Sequence, residues 1–496
     1  MNYRLISKYL GLLLGVFSLS IFVALPFAIY FKEWHALVAI IEAIAAGMIV
    51  SVGFWAYGRG TKGEPYRRET LAIVGLAWMM AAGIGALPML FSGITDGSFT
   101  DAYFESMSGL TTTGSTILQT IEDKPKSILL WRSFLHFLGG LGIVVLFVAV
   151  LPLLGVGGRS LFKTEVPGPS AEGMTPRIKD TAISLWKLYI GLNALETVLL
   201  MWAGMGFYDA INHAMATMAT GGFSTKNASI LAFYSPMVEW IIILFMYIAG
   251  TNFALLLRAL KGKFEYHKDP EFLTYSGIIL FSSVFIAMAL YLSGVPNVEG
   301  SPAAVSDPAS INLRDAFFIV IALQTTTGFG TVDFQQWPEG VRILLLILMF
   351  FGGCSGSTGG GLKVIRWIIL AKVAAHQIAS EVSPRRVRAL KLGDRVIGQE
   401  TSRAVLILFF LWIGVVFFGS FAVAILSPDQ TLLTSFTAVI ATLNNIGPGL
   451  DAVGPTSNFD TFQPAVKWLL ALFMALGRLE LYAIAVLFAP SFWFQR

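Results

Sequence analysis

The chain has 496 residues, of which 55% are hydrophobic and only 13% charged, and its mean hydropathy is +0.72. Soluble globular domains carry roughly a quarter charged residues, so a water-soluble enzyme or binding module is excluded and a polytopic membrane protein is expected. The net charge of +4 and pI near 9.0 come from basic residues in short loops, which orientation in a bilayer explains better than nucleic-acid binding, and one cysteine, Cys354, excludes an intrachain disulfide or a cysteine-built metal site.

Apolar runs of about 20 residues, enough to cross a bilayer as helices, fall near 9–31, 36–57, 69–92, 128–154, 180–204, 236–260, 272–294, 339–375, 398–426 and 465–490. The first is too long for the apolar core of a cleavable leader and is expected as a span. Two spans stand alone and the other eight bracket four shorter apolar segments. The expected organisation is therefore two N-terminal helices in 1–60, then four units in 61–155, 156–265, 266–380 and 381–496. Most lysines and arginines, from Arg4 and Lys8 through Arg159, Lys163, Arg177 and the stretch Lys363 to Arg403 to Arg496, fall on one side. That side and both termini are expected to be cytoplasmic.

The four shorter segments share a register. Asp101, Asp209 and Asp315 each precede a loop glycine by thirteen residues, at Gly114, Gly222 and Gly328, and Thr434 stands in the same relation to Gly447. Such spacing reads as one supersecondary unit used four times. A thirteen-residue helix is about 20 Å long, short of a hydrocarbon core of roughly 30 Å, so each segment must dip in and return. Irregular backbone survives at that depth only where protein buries it or water reaches it. Four such loops imply a water-filled axis.

Each loop offers neutral oxygen alone: Thr112-Thr113-Gly114, Thr220-Gly221-Gly222, Thr326-Thr327-Gly328 and Asn444-Asn445-Ile446-Gly447, without a carboxylate, imidazole or thiol. A ring of carbonyls of this kind replaces the water shell of a weakly hydrated monovalent cation yet releases it. Short helices ending at the loops turn their negative ends toward the ion, with Asp101, Asp209 and Asp315 expected as caps at the far ends.

Within the run 339–375 lies Gly352-Gly353-Cys354-Ser355-Gly356-Ser357-Thr358-Gly359-Gly360-Gly361. At about 1 kcal/mol per glycine relative to alanine, this span must break. A phosphate-binding loop is disfavoured, since Lys363 follows Leu362, no Ser or Thr follows the lysine and no strand precedes it; a passive kink and a moving gate stay open. Arg478, deep in the last span, is costly to hold in a membrane and is expected to face water or a partner, while Glu480 is two residues away and on another face. Glu42, Glu196, Asn252 and His136 fall singly in apolar spans, where a buried interhelical hydrogen bond is expected. Pro384-Arg385-Arg386-Val387-Arg388 marks a basic linker for anionic lipid or a cytoplasmic regulator.

On these residues the whole chain resembles the Trk/Ktr/HKT superfamily of potassium transporters, and within it the bacterial Trk potassium-uptake subunits. The resemblance implies an all-α polytopic membrane protein in which each repeat gives one strand of a potassium-channel-like filter, with Gly114, Gly222, Gly328 and Gly447 matching the filter glycines. It also implies that the Gly352–Gly361 loop and Arg478 gate the pore beneath the filter. Implied partners are a second copy of the chain and a TrkA-like cytoplasmic ring that binds NAD or adenine nucleotides; K+ is the transported ion and no cofactor is expected in this chain. No loop carries a full Thr-Val-Gly-Tyr-Gly signature. The rival classes are a coupled transporter of a small solute, which normally shows two related halves, a sodium-permeable member of the superfamily, and a membrane enzyme, for which no HExxH or paired intramembrane aspartates exist.

Overall fold

The computed structural model describes residues 1–153, 178–294, 308–382, 390–393, 395–479 and 481–494. Arg159, Lys163, Arg177, the linker at Pro384–Arg388, Glu480 and Arg496 lie outside the described residues. Helix α1 (Tyr3–Ser20) runs through a 3-10 turn into α2 (Leu25–Tyr30), and α3 (Trp34–Gly58) packs back against it. Ser51 Oγ donates to Gly11 O at 2.7 Å across that pair, the close approach that small residues allow between membrane helices. The first repeat follows as α4 (Arg67–Phe91), short α5 (Phe99–Leu110) and α6 (Lys126–Leu153). The second comprises α7 (Ile178–Trp202), short α8 (Phe207–Met218), α9 (Pro236–Ala249) and α10 (Phe253–Leu260). The third has α11 (Pro270–Ser293), α12 (Pro308–Gln324), α13 (Glu339–Leu348) and α14 (Val364–Val382). The fourth has α15 (Gln399–Leu426), short α16 (Leu432–Leu443) and α17 (Pro464–Arg478). Strand occurs in one two-residue antiparallel pair, Lys391–Leu392 with Arg395–Val396, among the described residues.

Local chemistry sets these boundaries. Asp269 accepts from Glu271 N and Phe272 N at 2.9 Å ahead of Pro270, and Ser235 caps α9 ahead of Pro236. A capping oxygen satisfies N–H groups that lack a helical partner, and proline at the next position has none to satisfy. Ser98 and Thr431 cap α5 and α16 in the same way. Asp101 and Asp209 therefore lie in the first turn and are not caps, and Asp315 lies inside α12 because that helix starts seven residues earlier at Pro308. Each has another use or neighbour: Asp101 pairs with Lys467 at 2.6 Å, Asp209 accepts from Thr225 Oγ1 at 2.6 Å, and Asp315 lies 3.9 Å from Arg314.

Six single helices among the described residues are long and apolar enough to cross a membrane: the two leading spans and the first span of every repeat. The second spans are all interrupted. α6 carries a non-helical residue, Gly142, with φ 71°; α9 and α10 meet at 102°; α13 and α14 flank the glycine-rich loop; and α17 ends at Arg478 before a turn in which Leu481 has φ 59°. Unbroken helices over 128–154, 236–260 and 465–490 were expected from hydropathy, and these three are corrected to broken spans. Hydropathy reports the side chains, whereas a break needs only a partner for the freed backbone groups. The short helices α5, α8 and α16 are exposed in their first turn, at Phe99, Phe207 and Leu432, and nearly buried from there to their ends, while α11 and α15 turn Leu280, Phe281, Phe410 and Phe418 outward.

Candidate functional site

The helices α5, α8 and α16, of 12 residues each, and α12, which at 17 residues is longer than the thirteen expected, all end in one backbone motif. The residue before each loop glycine donates its N–H five residues back at 2.8 Å: Thr113 to Ser108, Gly221 to Ala216, Thr327 to Ala322 and Ile446 to Ala441. The residue before that donates three back, from Thr112, Thr220, Thr326 and Asn445. This pair of bonds is the Schellman termination, whose pivot is normally a left-handed glycine. Here the pivots are Thr112, Thr220, Thr326 and Asn445, with φ of 54°, 56°, 61° and 55°. A side chain in that region costs about 1–2 kcal/mol, and two pivots use theirs between elements. Thr326 Oγ1 accepts from Gly360 N at 2.6 Å, and Asn445 Nδ2 donates to Thr113 Oγ1 and Met474 O, both at 2.9 Å. The left-handed pivots had no sequence signal beyond a Thr or Asn two residues ahead of each glycine.

Two residues after each pivot the chain turns left-handed again, at Gly114, Gly222, Gly328 and Gly447, with φ of 82°, 82°, 76° and 101°. A β-carbon on Gly114 would overlap Gly221 O; on Gly222, Thr327 O; on Gly328, Ile446 O; and on Gly447 it would come within 2.8 Å of Thr113 O. Each glycine thus abuts the carbonyl that precedes its counterpart in the next repeat, and the sequence closes from fourth to first. The structure brings Thr113, Gly114, Gly221, Gly222, Thr327, Gly328, Ile446 and Gly447 into one cycle of backbone, and one cavity is lined by all four glycines. Gly221 replaces the threonine of repeats one and three because the His136 ring fills the space its β-carbon would take.

Charge pairs brace this cycle from behind. Glu105, on α5, meets Arg132, on α6, at 2.5 Å with both side chains almost fully buried. Glu105 also accepts from Ile117 N at 3.0 Å and Thr116 Oγ1 at 2.9 Å. The Arg132 guanidinium lies 3.5 Å above the Phe223 ring and donates to Ser224 O at 3.2 Å, joining the first repeat to the second. His136 stacks on Phe223 at 4.1 Å. Elsewhere Glu239 pairs with Arg314 at 2.6 Å, second repeat to third, and Lys467 pairs with Asp101, fourth to first.

Beneath the cycle, the four interruptions adjoin one another. Gly142, Gly250 and Gly356 each follow their repeat's loop glycine by twenty-eight residues. The α9–α10 bend frees the carbonyls of Ala249 and Gly250, and the third-repeat loop takes both: Cys354 N donates to Gly250 O at 2.8 Å and Thr358 Oγ1 to Ala249 O at 3.2 Å. Phe253 N returns a bond to Gly356 O at 3.2 Å. The loop neck is closed by Gly352 N to Leu362 O at 2.8 Å, and Ser357 Oγ donates to Cys354 O at 2.6 Å. Lys363 Nζ donates to Gly359 O inside the loop, and Gly361 is left-handed with φ 66°. Asn444 Nδ2 fastens the approach by donating to Met349 O at 2.9 Å.

Arg478 donates from Nη1 to Thr358 O at 2.7 Å and from Nη2 to Gly139 O at 2.5 Å. It ties the glycine-rich loop to the kink region of α6. The four single polar residues are used otherwise than expected. Asn252 caps α10, accepting from Ala254 N at 2.9 Å; Glu42 is exposed; and among the described residues neither the Glu196 carboxyl nor the His136 ring nitrogens meet a hydrogen-bond partner.

The chain matches the family described as "TrkH: Cation transport protein" over residues 36–495. It is 40% identical to the Trk system potassium uptake protein TrkH of Escherichia coli K12 over 99% of this chain and 100% of that one. It is 33% identical to the E. coli K12 Trk system potassium uptake protein TrkG, over 99% of each chain. Its fold is similar to the crystal structure of the potassium transporter TrkH from Vibrio parahaemolyticus, with TM-score 0.86, 34% identity and 100% of both chains covered. The chain belongs to the TrkH family of cation transport proteins.

Proposed function

We propose that this protein takes up potassium across a bacterial cytoplasmic membrane through a gated pore formed inside one polypeptide. The observation that carries this reading is the closed cycle of the Thr113, Gly221, Thr327 and Ile446 carbonyls against the four left-handed glycines. Uncharged oxygens held by four like turns substitute for the water of a weakly hydrated cation and let it go again. The negative ends of α5, α8, α12 and α16 run into these turns and favour positive charge. The names of the relatives support potassium as the cargo.

On this reading 61–155, 156–265, 266–380 and 381–496 each supply one quarter of the filter and 1–60 stands outside it. Gly352–Gly361 is the gate and Arg478 its clasp, supported by the bonds from Arg478 to Thr358 and from Gly360 to Thr326. The basic loops face the cytoplasm, where a NAD- or adenine-nucleotide-binding partner sets the gate of a homodimer; naming of relatives as parts of a Trk system supports a partner. Potassium is cargo, and this chain is assigned no cofactor and no enzymatic reaction.

The test is rubidium and potassium uptake into proteoliposomes holding the purified chain, with sodium and uncharged solutes compared. Uptake of potassium and rubidium well above sodium is expected. Equal entry of all alkali cations, or entry of a small organic solute alone, would overturn the reading.

A further inference from the structure

Glu271 lies in the first turn of α11, and its side chain is buried. One of its oxygens, Oε1, accepts two backbone N–H groups from the third repeat's second span: Ser355 N at 2.6 Å and Ile365 N at 3.1 Å. The first donor belongs to the glycine-rich loop and the second to the opening turn of α14. A single carboxylate oxygen therefore pins the loop and the start of the helix that leaves it to the same unbroken span. Backbone N–H groups at a helix start carry partial positive charge and prefer an anion, and a hydrogen bond to a charged acceptor is roughly twice as strong as a neutral one.

The holds from Ala249, Gly250, Thr326 and Arg478 come from elements that are themselves interrupted or strained. Ala249 and Gly250 sit at the α9–α10 bend, Thr326 is a left-handed pivot, and Arg478 ends its helix. Glu271 is different, since it is based on a span of 24 residues without a break. A loop that moves while α11 stays fixed must part from this carboxylate.

We infer that Glu271 is the latch that keeps the glycine-rich loop closed, a positioning residue that acts through the Ser355 and Ile365 amides and touches no ion. This deepens the gate assigned above and rests on it. Glu271→Gln keeps the shape and one acceptor oxygen but removes the charge; Glu271→Asp keeps the charge but, one methylene shorter, does not reach both amides.

Cys354 reports the loop directly, because it is the chain's single cysteine and is buried at 1% exposure next to Ser355. The experiment measures the rate at which a small water-soluble maleimide labels Cys354 in the full-length protein in proteoliposomes, alongside rubidium uptake. Labelling of Glu271→Gln is expected to be roughly tenfold faster than wild type, the equivalent of losing one charge-assisted bond, with Glu271→Asp in between and uptake raised in step. Labelling at the wild-type rate in both variants would overturn the latch. Faster labelling with unchanged uptake would support the latch and overturn the gate reading on which it rests. Elution of each variant as the wild-type species on size exclusion ensures that labelling reports the loop; if Glu271→Gln aggregates, Glu271→Asp alone decides.

Discussion

The cycle of loops and the layer of helix breaks beneath it come from the same four repeats, yet they treat symmetry in opposite ways. Above, four turns repeat the same two backbone bonds and the same pair of left-handed residues, whatever the side chains. Below, one register gives a single kinked glycine, a 102° bend and a long glycine-rich loop in the first three repeats, and the fourth departs from it with a helix that stops a few residues later at an arginine. A spherical ion is best surrounded by equal ligands, so the repeats converge where it would be coordinated. A gate, as proposed for this layer, needs one moving part, and the divergence of the repeats there is what that reading expects.

The comparison is broken most severely by removing a brace common to two repeats. Arg132→Ala would leave Glu105 buried without its charge partner, which costs about 3–5 kcal/mol. Thermal unfolding in detergent should show a large drop in melting temperature; an unchanged midpoint would mean that the pair does not hold the first two turns together.

A smaller effect is expected in the lower layer. Arg478→Ala removes two hydrogen bonds from a charged donor, to Thr358 and Gly139, and frees the loop while leaving the turns above intact. Rubidium uptake at equal expression should rise by roughly three- to tenfold, with the potassium-to-sodium ratio unaltered. A fall in uptake would make the arginine part of the scaffold of the conducting state.

The mildest change is Asn252→Ala, which strips the cap from α10 and costs about 1 kcal/mol. Because α10 shares the Phe253–Gly356 bond with the loop, uptake should rise less than for Arg478→Ala. Measured with the double variant, the two effects should be less than additive, since both act on one loop; strict additivity would separate the bend from the gate.

How much of this could be read from residues differs between the layers. The glycine register and the short helices were legible because depth in a membrane limits helix length, and the third break was legible because Gly352–Gly361 cannot sustain a helix. The interruptions at Gly142, Gly250 and Leu481 were not, since one glycine or a pair of polar residues inside an apolar run does not by itself stop a helix, and the partners of the freed backbone groups, such as Cys354 for Gly250 and Thr358 for Ala249, lie more than a hundred residues away. The misread aspartates have a local origin, in helices that start before them. Pro308 starts α12 early, so a shared register places Asp315 in a helix interior where Asp101 and Asp209 sit in first turns. Gly221 was explicable only once His136 was seen against it.

The central claim, that four turns form one cation site, is tested most directly by alanine at Gly114, Gly222, Gly328 and Gly447 in turn, reading the potassium-to-sodium reversal potential of the reconstituted protein. Each β-carbon intrudes on a carbonyl of the neighbouring repeat in a left-handed position, at about 1–2 kcal/mol from conformation alone. All four variants should therefore shift the reversal potential toward equal permeability. Wild-type selectivity in any one of them, in protein that still conducts, would remove that repeat from the site and contradict the account.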